Sequence, residues 1–307
     1  MGFFDLQVNG YAGVDLNGDE SDAEAMERMC SLLTCHGVDG ILVTLITDSV
    51  PKMQSRLERL VRLRRQHPSF ERMIRGVHME GPFINPADGY RGAHPIDAVL
   101  PGDVSVMKRL LEAGEGLVRL VTLAPECDPG LRVTRLLAEN KITISAGHTD
   151  APLEVLSEAI DAGLTMFTHC GNGCPAVMPR HDNILQRALS LRSRLWLCFI
   201  ADGAHIPLFA LKNYLDLVGI DHSIVVTDGI SAAGLGPGTY QFGRWRLVLS
   251  EDLVARSPDG SHLVGSTTTM QRSFEVLTQK LHLSEETAWK LLSENPRRAI
   301  GEPLDGH

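Results

Sequence analysis

Short apolar runs rich in β-branched and aromatic residues alternate along this chain with longer segments whose apolar residues recur at helical period. Eight runs are predicted as strands, at residues 3–9, 39–46, 73–79, 117–123, 142–146, 164–168, 196–200 and 223–228. The predicted helices include residues 22–36, 51–66, 131–140, 152–162 and 207–217. A strand followed by a helix, repeated eight times, indicates the α/β class and most economically forms a (β/α)8 TIM barrel. A doubly wound parallel sheet is the alternative.

The length of 307 residues suits a barrel that forms one unit, so residues 1–307 are predicted to be a single domain. After the eighth predicted strand, a glycine-rich stretch at 234–238 leads into an alternating segment that contains an Asp259-Gly260 turn pair. This pattern predicts a β-hairpin insertion after strand eight, before the last helices.

Charge and composition exclude several classes of partner. The formal net charge is −9, and a nucleic acid or an anionic membrane would require a clustered basic face, so neither is expected to bind. The N-terminus reaches Asp5 and Asn9 too soon for the apolar part of a signal peptide, and nothing resembles a spanning helix. Six cysteines are too sparse for a disulfide scaffold. A cytoplasmic location is therefore expected.

Polar side chains stand at the carboxyl end of nearly every predicted strand, which is the edge where a barrel carries its active site. Glu80, His148 and His169 follow the third, fifth and sixth strands. Two imidazoles and a carboxylate form a ligand set that holds catalytic zinc and leaves one position for water, whose pKa the metal lowers to about 7. One buried histidine alone is more often a hydrogen-bonded core residue. The convergence of the set points to metal-assisted hydrolysis.

Asp228 follows the eighth strand in the segment VVTDG. Hydrolysis needs a base that accepts a proton from water and later returns it to the leaving group, and the tip of strand eight suits that role. Because Asp-Gly is a common turn pair, capping of the following turn is the alternative.

Several motifs together resemble the amidohydrolase superfamily and, within it, the N-acetylglucosamine-6-phosphate deacetylases. They are DLQVNG, HMEGPFINP with RGAHP, SAGHTDA, FTHCGNG, ADGAH, VTDGISAAG and LVGSTTTM, and they extend over nearly the whole barrel. The resemblance implies a TIM barrel of the metal-dependent amidohydrolase type that deacetylates an N-acetyl amino sugar, with N-acetylglucosamine-6-phosphate as the expected substrate.

The resemblance also implies roles for individual residues. Glu80, His148 and His169 match the metal ligands, and Asp228 matches the general acid and base. His94, in RGAHP, would contact the sugar or the acetamide and polarise its carbonyl.

Further positions match the family's substrate contacts. Asn172 and Gly173 would lie along the substrate, with Arg180 and His205 at its phosphate. The expected partner is therefore a small molecule, a phosphorylated amino sugar, and the family resemblance also points to a homodimer.

The first strand predicts the number of metals. Many amidohydrolases carry His-x-His there as ligands for a second metal, and this chain has Gln7-Val8-Asn9. Neutral amides are poor replacements, so one divalent ion per subunit is predicted, with zinc favoured and iron or cobalt also compatible. Gln7 is expected to hydrogen-bond the metal-bound water or a sugar hydroxyl.

The chain departs from the family pattern in two places. The family's β-sandwich, formed by segments before the first strand and after the last helix, is predicted to be missing or reduced to the 239–258 hairpin, which would favour self-association. The loop after strand six typically reads about Arg-Glu-Pro-Gly, and here it reads Arg180-His181-Asp182-Asn183. Two alternatives therefore stay open: an amidohydrolase of a different amide or cyclic imide, and a catalytically inactive barrel that binds sugar phosphates.

Overall fold

The computed structural model describes residues 1–18, 23–242, 245–256 and 263–304. Eight parallel strands form the central sheet, each next to its neighbour in sequence. They are β1 (Phe3–Val8), β2 (Val38–Ile46), β3 (Ile74–Glu80), β4 (Val118–Leu123), β5 (Thr143–Ala146), β6 (Met166–Phe167), β7 (Trp196–Ile200) and β8 (Ser223–Val226). This order never reverses, as it would in a doubly wound sheet, so the TIM-barrel prediction is confirmed.

Helices follow the strands and bury one face against the sheet. They are α1 (Ala23–Cys35), α2 (Val50–Gln66), α3 (Pro68–Met73), α4 (Val104–Gly114), α5 (Arg132–Glu139), α6 (Leu153–Asp161), α7 (Ile184–Ser190) and α8 (Leu208–Val218), with α9 (Met270–Glu275), α10 (Glu285–Trp289) and α11 (Asn295–Ala299) after them. In α2, Met53, Leu57 and Leu60 are buried at helical spacing, and Pro51 lies in the first turn, where no helical N–H is needed.

The first and last strands meet along a seam formed by residues 5–9 and 227–229. Val8 and Gly229 form a parallel bridge, and the N–H of Asn9 donates to the carbonyl of Gly229 at 2.7 Å. The Thr227 hydroxyl donates to the buried carboxyl of Asp5 at 2.5 Å. A side-chain carboxyl thus takes part in closing the barrel.

The interior of the barrel is layered. An apolar cluster contains Phe4, Leu6, Leu42, Leu120, Met166, Cys198, Ile200, Ile224, Val226 and Ile300. Closer to the carboxyl ends, His78 contacts the Thr122 hydroxyl at 2.7 Å, and Thr122 contacts the Thr168 hydroxyl at 2.7 Å. Burial lowers the pKa of His78 to about 4, so this ring is neutral. Alternation along β3 then places Glu80 on the same inner face and Met79 in the core against the helices.

Beyond β8 the chain forms a three-stranded antiparallel sheet of β9 (Gly238–Phe242), β10 (Trp245–Leu249) and β11 (Ala255–Arg256). Leu247 and Leu249 pack with Ile230 and Val264, which joins this sheet to the segment after β8. The predicted hairpin falls here, but its Asp259-Gly260 turn lies outside the described residues. The hairpin insertion and the single-domain boundary 1–307 both stay predictions.

None of the helices in the described ranges combines the length and the apolar character that crossing a membrane requires.

Asp5→Asn is expected to flatten the pH dependence of stability. Burial, opposed by hydrogen bonds from Thr227 and Gln7, raises the pKa of Asp5 to about 7, whereas an unfolded Asp titrates near about 3.9. Between these values the folded state holds the extra proton, so the free energy of unfolding falls as pH rises, by up to about 1.4 kcal/mol per pH unit. Urea unfolding of both proteins across this window measures the difference. Parallel pH profiles would contradict the prediction.

Candidate metal centre and active-site cavity

A cavity of about 570 Å³ lies at the carboxyl ends of the strands. Eight of the ten predicted site residues line it: Glu80, His94, His148, His169, Asn172, Gly173, His205 and Asp228. The other two, Gln7 and Arg180, are not among its lining residues. The barrel therefore brings together residues from five strand ends that the sequence separates widely.

Glu80, His148 and His169 form the only cluster of possible metal ligands found among the described residues. Glu80 Oε1 lies 3.1 Å from His148 Nε2 and 3.0 Å from His169 Nε2, and the two nitrogens are 3.1 Å apart. All three side chains are buried. Although burial opposes its charge, its close contacts with His148 and His169 hold the pKa of Glu80 well below its usual range.

The chemistry of this cluster fits a divalent cation. His148 Nδ1 contacts the carbonyl oxygen of Tyr90 at 2.7 Å, and a carbonyl only accepts, so Nδ1 carries the proton and the Nε2 lone pair is available to a metal. Three ligand atoms about 2 Å from one tetrahedral ion lie about 3.3 Å apart, close to the separations here. Without a metal, a proton must lie among these atoms, consistent with the His169 pKa, which the hydrogen bond to Glu80 raises despite burial.

Backbone conformation turns three of the site residues into the cavity. His148, His169 and Asp228 have φ values of 52°, 31° and 50°, in the left-handed region that residues other than glycine rarely adopt. Such positions cost about 1–3 kcal/mol each and cluster at functional sites. The fold thus accepts strain at three strand ends that carry predicted metal or proton chemistry.

The amides of the first strand bind the two carboxylates of the site. Gln7 Nε2 donates to Glu80 Oε1 at 3.1 Å, and Asn9 Nδ2 donates to Asp228 Oδ1 at 2.8 Å. Burial and the nearby charge of Glu80 raise the pKa of Asp228 to about 6. Gln7, expected at the metal-bound water or the sugar, here holds a candidate metal ligand instead.

His94 lies beside the cluster, and the Thr47 hydroxyl holds its ring in place. Its Nδ1 is 2.8 Å from the Thr47 hydroxyl, which also lies 3.2 Å from the carbonyl of Glu80. Gly81 makes room for this hydroxyl, because a Cβ at residue 81 would lie 2.0 Å from it. The His94 ring packs edge-on against His148, with centroids 4.4 Å apart.

Gly173 and Asn172 lie against the histidine rings and in the cavity wall. A Cβ on Gly173 would lie 2.9 Å from Cε1 of His169 and 3.1 Å from Nδ1 of His148, and its φ is +62°. Only glycine allows the loop to approach the ligands so closely. Asn172 Nδ2 is buried without a hydrogen-bond partner among the described residues.

The two predicted phosphate contacts differ in their surroundings. His205 lines the cavity, and its Nδ1 lies 2.6 Å from Asp202 Oδ2. Burial opposes the charge of Asp202, yet the hydrogen bond with His205 holds the pKa of Asp202 below its usual range. Arg180 is exposed.

The unusual residues after Arg180 have local roles. Asn183 caps α7 by accepting from the N–H of Gln186, and Asp182 pairs with Arg187 at 2.6 Å. Arg187 also pairs with Asp150 of the loop after β5. These contacts start α7 and fix it to the neighbouring loop.

Four residues of the site carry no role in the sequence-based prediction: Asn9, Thr47, Tyr90 and Glu126. Asn9 and Glu126 do stand at strand ends, the same signal that identified Glu80. The Tyr90 contact uses a backbone carbonyl, which no side-chain pattern reveals.

The barrel and its buried Glu-His-His cluster together define a hydrolase of the metal-dependent TIM-barrel class. The chain is 30% identical over 305 residues to the N-acetylglucosamine-6-phosphate deacetylase of Bacillus subtilis, an alignment that covers 98% of this chain and 74% of the relative. It belongs to the N-acetylglucosamine-6-phosphate deacetylase family, which also includes N-acetylgalactosamine-6-phosphate deacetylases. One of these, from Shewanella, is 32% identical over 311 residues, covering 99% of this chain and 75% of the relative.

Solved structures agree with this assignment. A variant of the Mycobacterium smegmatis N-acetyl-D-glucosamine-6-phosphate deacetylase, in complex with N-acetyl-D-glucosamine-6-phosphate, superposes with a TM-score of 0.88 at 28% identity, covering 98% of this chain and 77% of that chain. The Thermotoga maritima enzyme gives a TM-score of 0.85 at 27% identity, covering 98% and 78%. No protein-family model matches the sequence.

Gly173→Ala is expected to weaken metal binding more than it weakens the fold. The new methyl group would press on the rings of His148 and His169, and the left-handed backbone adds a strain of about 1–3 kcal/mol. Zinc affinity and the melting temperature of the metal-free protein measure the two effects. Gly116→Ala is the matched control, since Gly116 has φ +82° and open space around its Cβ. Equal losses of zinc affinity in both variants would contradict the prediction.

Proposed function

We propose that the chain hydrolyses the acetamide of N-acetylglucosamine-6-phosphate to the free amine and acetate. The observation that carries this proposal is the convergence of Glu80, His148 and His169 in one cavity with the carboxyl group of Asp228. Membership of the deacetylase family supports it.

In this proposal Glu80, His148 and His169 hold one divalent ion, and zinc is the ion we favour over iron or cobalt. Bound there, the ion supplies Lewis acidity that activates water and polarises a carbonyl oxygen. The chain's own groups orient the ligands: Gln7 donates to Glu80, and the Tyr90 carbonyl accepts from His148. Both first-strand residues that would hold a second metal in other amidohydrolases are amides, which favours a single ion.

Asp228 moves the proton. It accepts a proton from the attacking water and donates it to the amine nitrogen as the C–N bond breaks, so that acetate carries the oxygen of water. Asn9 holds Oδ1 at 2.8 Å, which leaves Oδ2 for the proton. A pKa raised to about 6 by burial and by Glu80 suits a group that must both accept and donate.

His94 polarises the carbonyl group of the acetamide. The Thr47 hydroxyl has one proton, which goes either to the Glu80 carbonyl or to Nδ1 of His94. In the second arrangement the proton of the neutral ring lies on Nε2 and can be donated to the carbonyl oxygen as negative charge develops. Burial lowers the pKa of His94 to about 3, so the ring acts as a neutral donor.

For substrate binding we retain Asn172, Gly173, His205 and Arg180. The Nδ2 of Asn172, which has no hydrogen-bond partner in the part of the chain that the structure describes, offers a donor in the cavity wall. His205 is held in the cavity by Asp202. No lysine or arginine lines the cavity among the residues that the structure describes, so the exposed side chain of Arg180 would have to reach into the cavity to bind the phosphate.

N-acetylgalactosamine-6-phosphate is the second candidate substrate, because the Shewanella relative at 32% identity carries that name. The two sugars differ only in the orientation of one hydroxyl. Acetate release by zinc-loaded protein from both 6-phosphates, beside unphosphorylated N-acetylglucosamine, tests the proposal. We expect the highest kcat/KM for N-acetylglucosamine-6-phosphate. A higher kcat/KM for N-acetylgalactosamine-6-phosphate would make that sugar the substrate. If the protein turns over neither 6-phosphate, the proposed function is wrong.

Asp228→Asn is expected to lower kcat by about 10²–10⁴-fold, because the amide cannot carry the proton between water and amine. Zinc content is expected to stay at one ion per chain, since Asp228 is not a ligand in this proposal. Activity and metal analysis on the same preparation measure both quantities. Loss of zinc together with activity would contradict the assignment and make Asp228 part of the metal site.

We also propose a homodimer and a cytoplasmic location. The family resemblance supports the dimer, and the exposed side chains of Val177 and Phe209, at 89% and 75%, are candidates for the contact between subunits. All six cysteines are free thiols, as in proteins of reducing compartments.

A further inference from the structure

Glu126 connects three loops at the mouth of the barrel. It lies in a short 3-10 turn, Pro125–Cys127, just after β4. Its carboxylate accepts from Asn85 Nδ2 at 2.9 Å, from the N–H of Asp150 at 2.7 Å and from the hydroxyl of Thr149. No arginine or lysine pairs with it in an ion pair among the described residues, so these neutral donors are its partners.

The directions of these hydrogen bonds are unambiguous. Asn85 Oδ1 accepts from the N–H of Ala87 at 2.9 Å, which fixes the amide so that Nδ2 faces Glu126. The Thr149 oxygen accepts from the N–H of Ala151 at 3.0 Å, so its proton is free to go to Glu126. In all three contacts Glu126 therefore acts as the acceptor.

The loops joined by Glu126 carry His94 and His148, the residues with proposed roles at the acetamide and at the metal. One loop, residues 85–94, supplies the Tyr90 carbonyl to His148 Nδ1 and ends in His94. The other contains His148, Thr149 and Asp150. A second link joins the loops directly, because the N–H of Asn85 donates to the carbonyl of His148 at 2.9 Å. His148 has a strained φ of 52°, a conformation that persists only when its surroundings hold it.

We propose that Glu126 is a positioning residue for the metal centre: by accepting from Asn85, Thr149 and Asp150, it holds the loop of His94 against the loop of His148 and fixes the direction of His148 Nε2. Glu126 acts through hydrogen bonding and not through its charge. The inference rests on the proposed metal-binding role of His148.

Two substitutions at residue 126 separate hydrogen bonding from charge. Glu126→Met keeps the length of the side chain and removes every acceptor, so zinc affinity is expected to fall about 10–100-fold, as for other residues that orient ligands. Glu126→Gln removes the charge but keeps Oε1 for Asn85 and Asp150, while the Thr149 hydroxyl can reverse. Its zinc affinity is expected to stay within about threefold of the wild type.

Glu158→Met is the matched control. Glu158 is exposed and, like Glu126, lines a surface groove next to the loops after β4 and β5. This variant therefore repeats the substitution and the charge change without the contacts to Asn85, Thr149 and Asp150. Zinc dissociation constants from competition with a chromogenic chelator, without substrate, are the first measurement, and the melting temperature of each metal-free protein is the second. We expect weaker zinc binding in Glu126→Met alone, with kcat lowered more than KM is raised.

Each possible result either supports or contradicts the inference. Unchanged zinc affinity in Glu126→Met overturns the inference, and so does an equal loss in Glu126→Gln, which would assign the effect to charge. A wild-type protein that binds no zinc overturns the metal proposal and this inference together, whereas a zinc-binding protein without deacetylase activity overturns the substrate proposal alone. If Glu126→Met does not fold, Asn85→Ala breaks the same link from the other side, and unchanged zinc affinity there also overturns the inference.

Discussion

Three atoms with electron pairs, Nε2 of His148, Nε2 of His169 and Oε1 of Glu80, lie within 3.1 Å of one another in a buried site. Such atoms repel unless a cation or a shared proton lies among them, so the surrounding structure must hold them in place. Strained backbones at His148 and His169, the close approach of Gly173 and the Tyr90 carbonyl all serve that one requirement. These features together hold the three atoms close to one another.

The first strand shows how polar residues can be buried without disrupting a barrel. Asp5, Gln7 and Asn9 are all buried, and each has its own partner: Thr227, Glu80 and Asp228. Buried polar groups are costly unless they are hydrogen-bonded, and here each bond also orients a group with a separate task. The two amides of this segment, Gln7 and Asn9, therefore orient the carboxylates of Glu80 and Asp228.

The sequence predicts the barrel and its cluster well because both follow from simple regularities. Alternating strands and helices determine the topology, and parallel strands converge at their carboxyl ends, which brings Glu80 and His169 together despite their distance in sequence. Contacts between loops obey no such period: the partner of Gln7, the Thr47 hydroxyl behind His94 and the donors of Glu126 depend on how loops pack in three dimensions. Asn183 is a different case, since Asn before an apolar helix is a recognisable N-cap signal.

The proposed metal ligands and the proposed proton-transfer group lie in different parts of the chain, and the seam between β1 and β8 brings them together. The proposed ligands all lie between residues 80 and 169, whereas the Asn9–Asp228 contact joins groups 219 positions apart and forms only when the last strand meets the first. During synthesis, the segment that supplies all three ligands leaves the ribosome well before Asp228 does. A partly made chain can therefore contain every proposed metal ligand and still lack the proposed proton-transfer group, so completion of the barrel is the step that brings the two together.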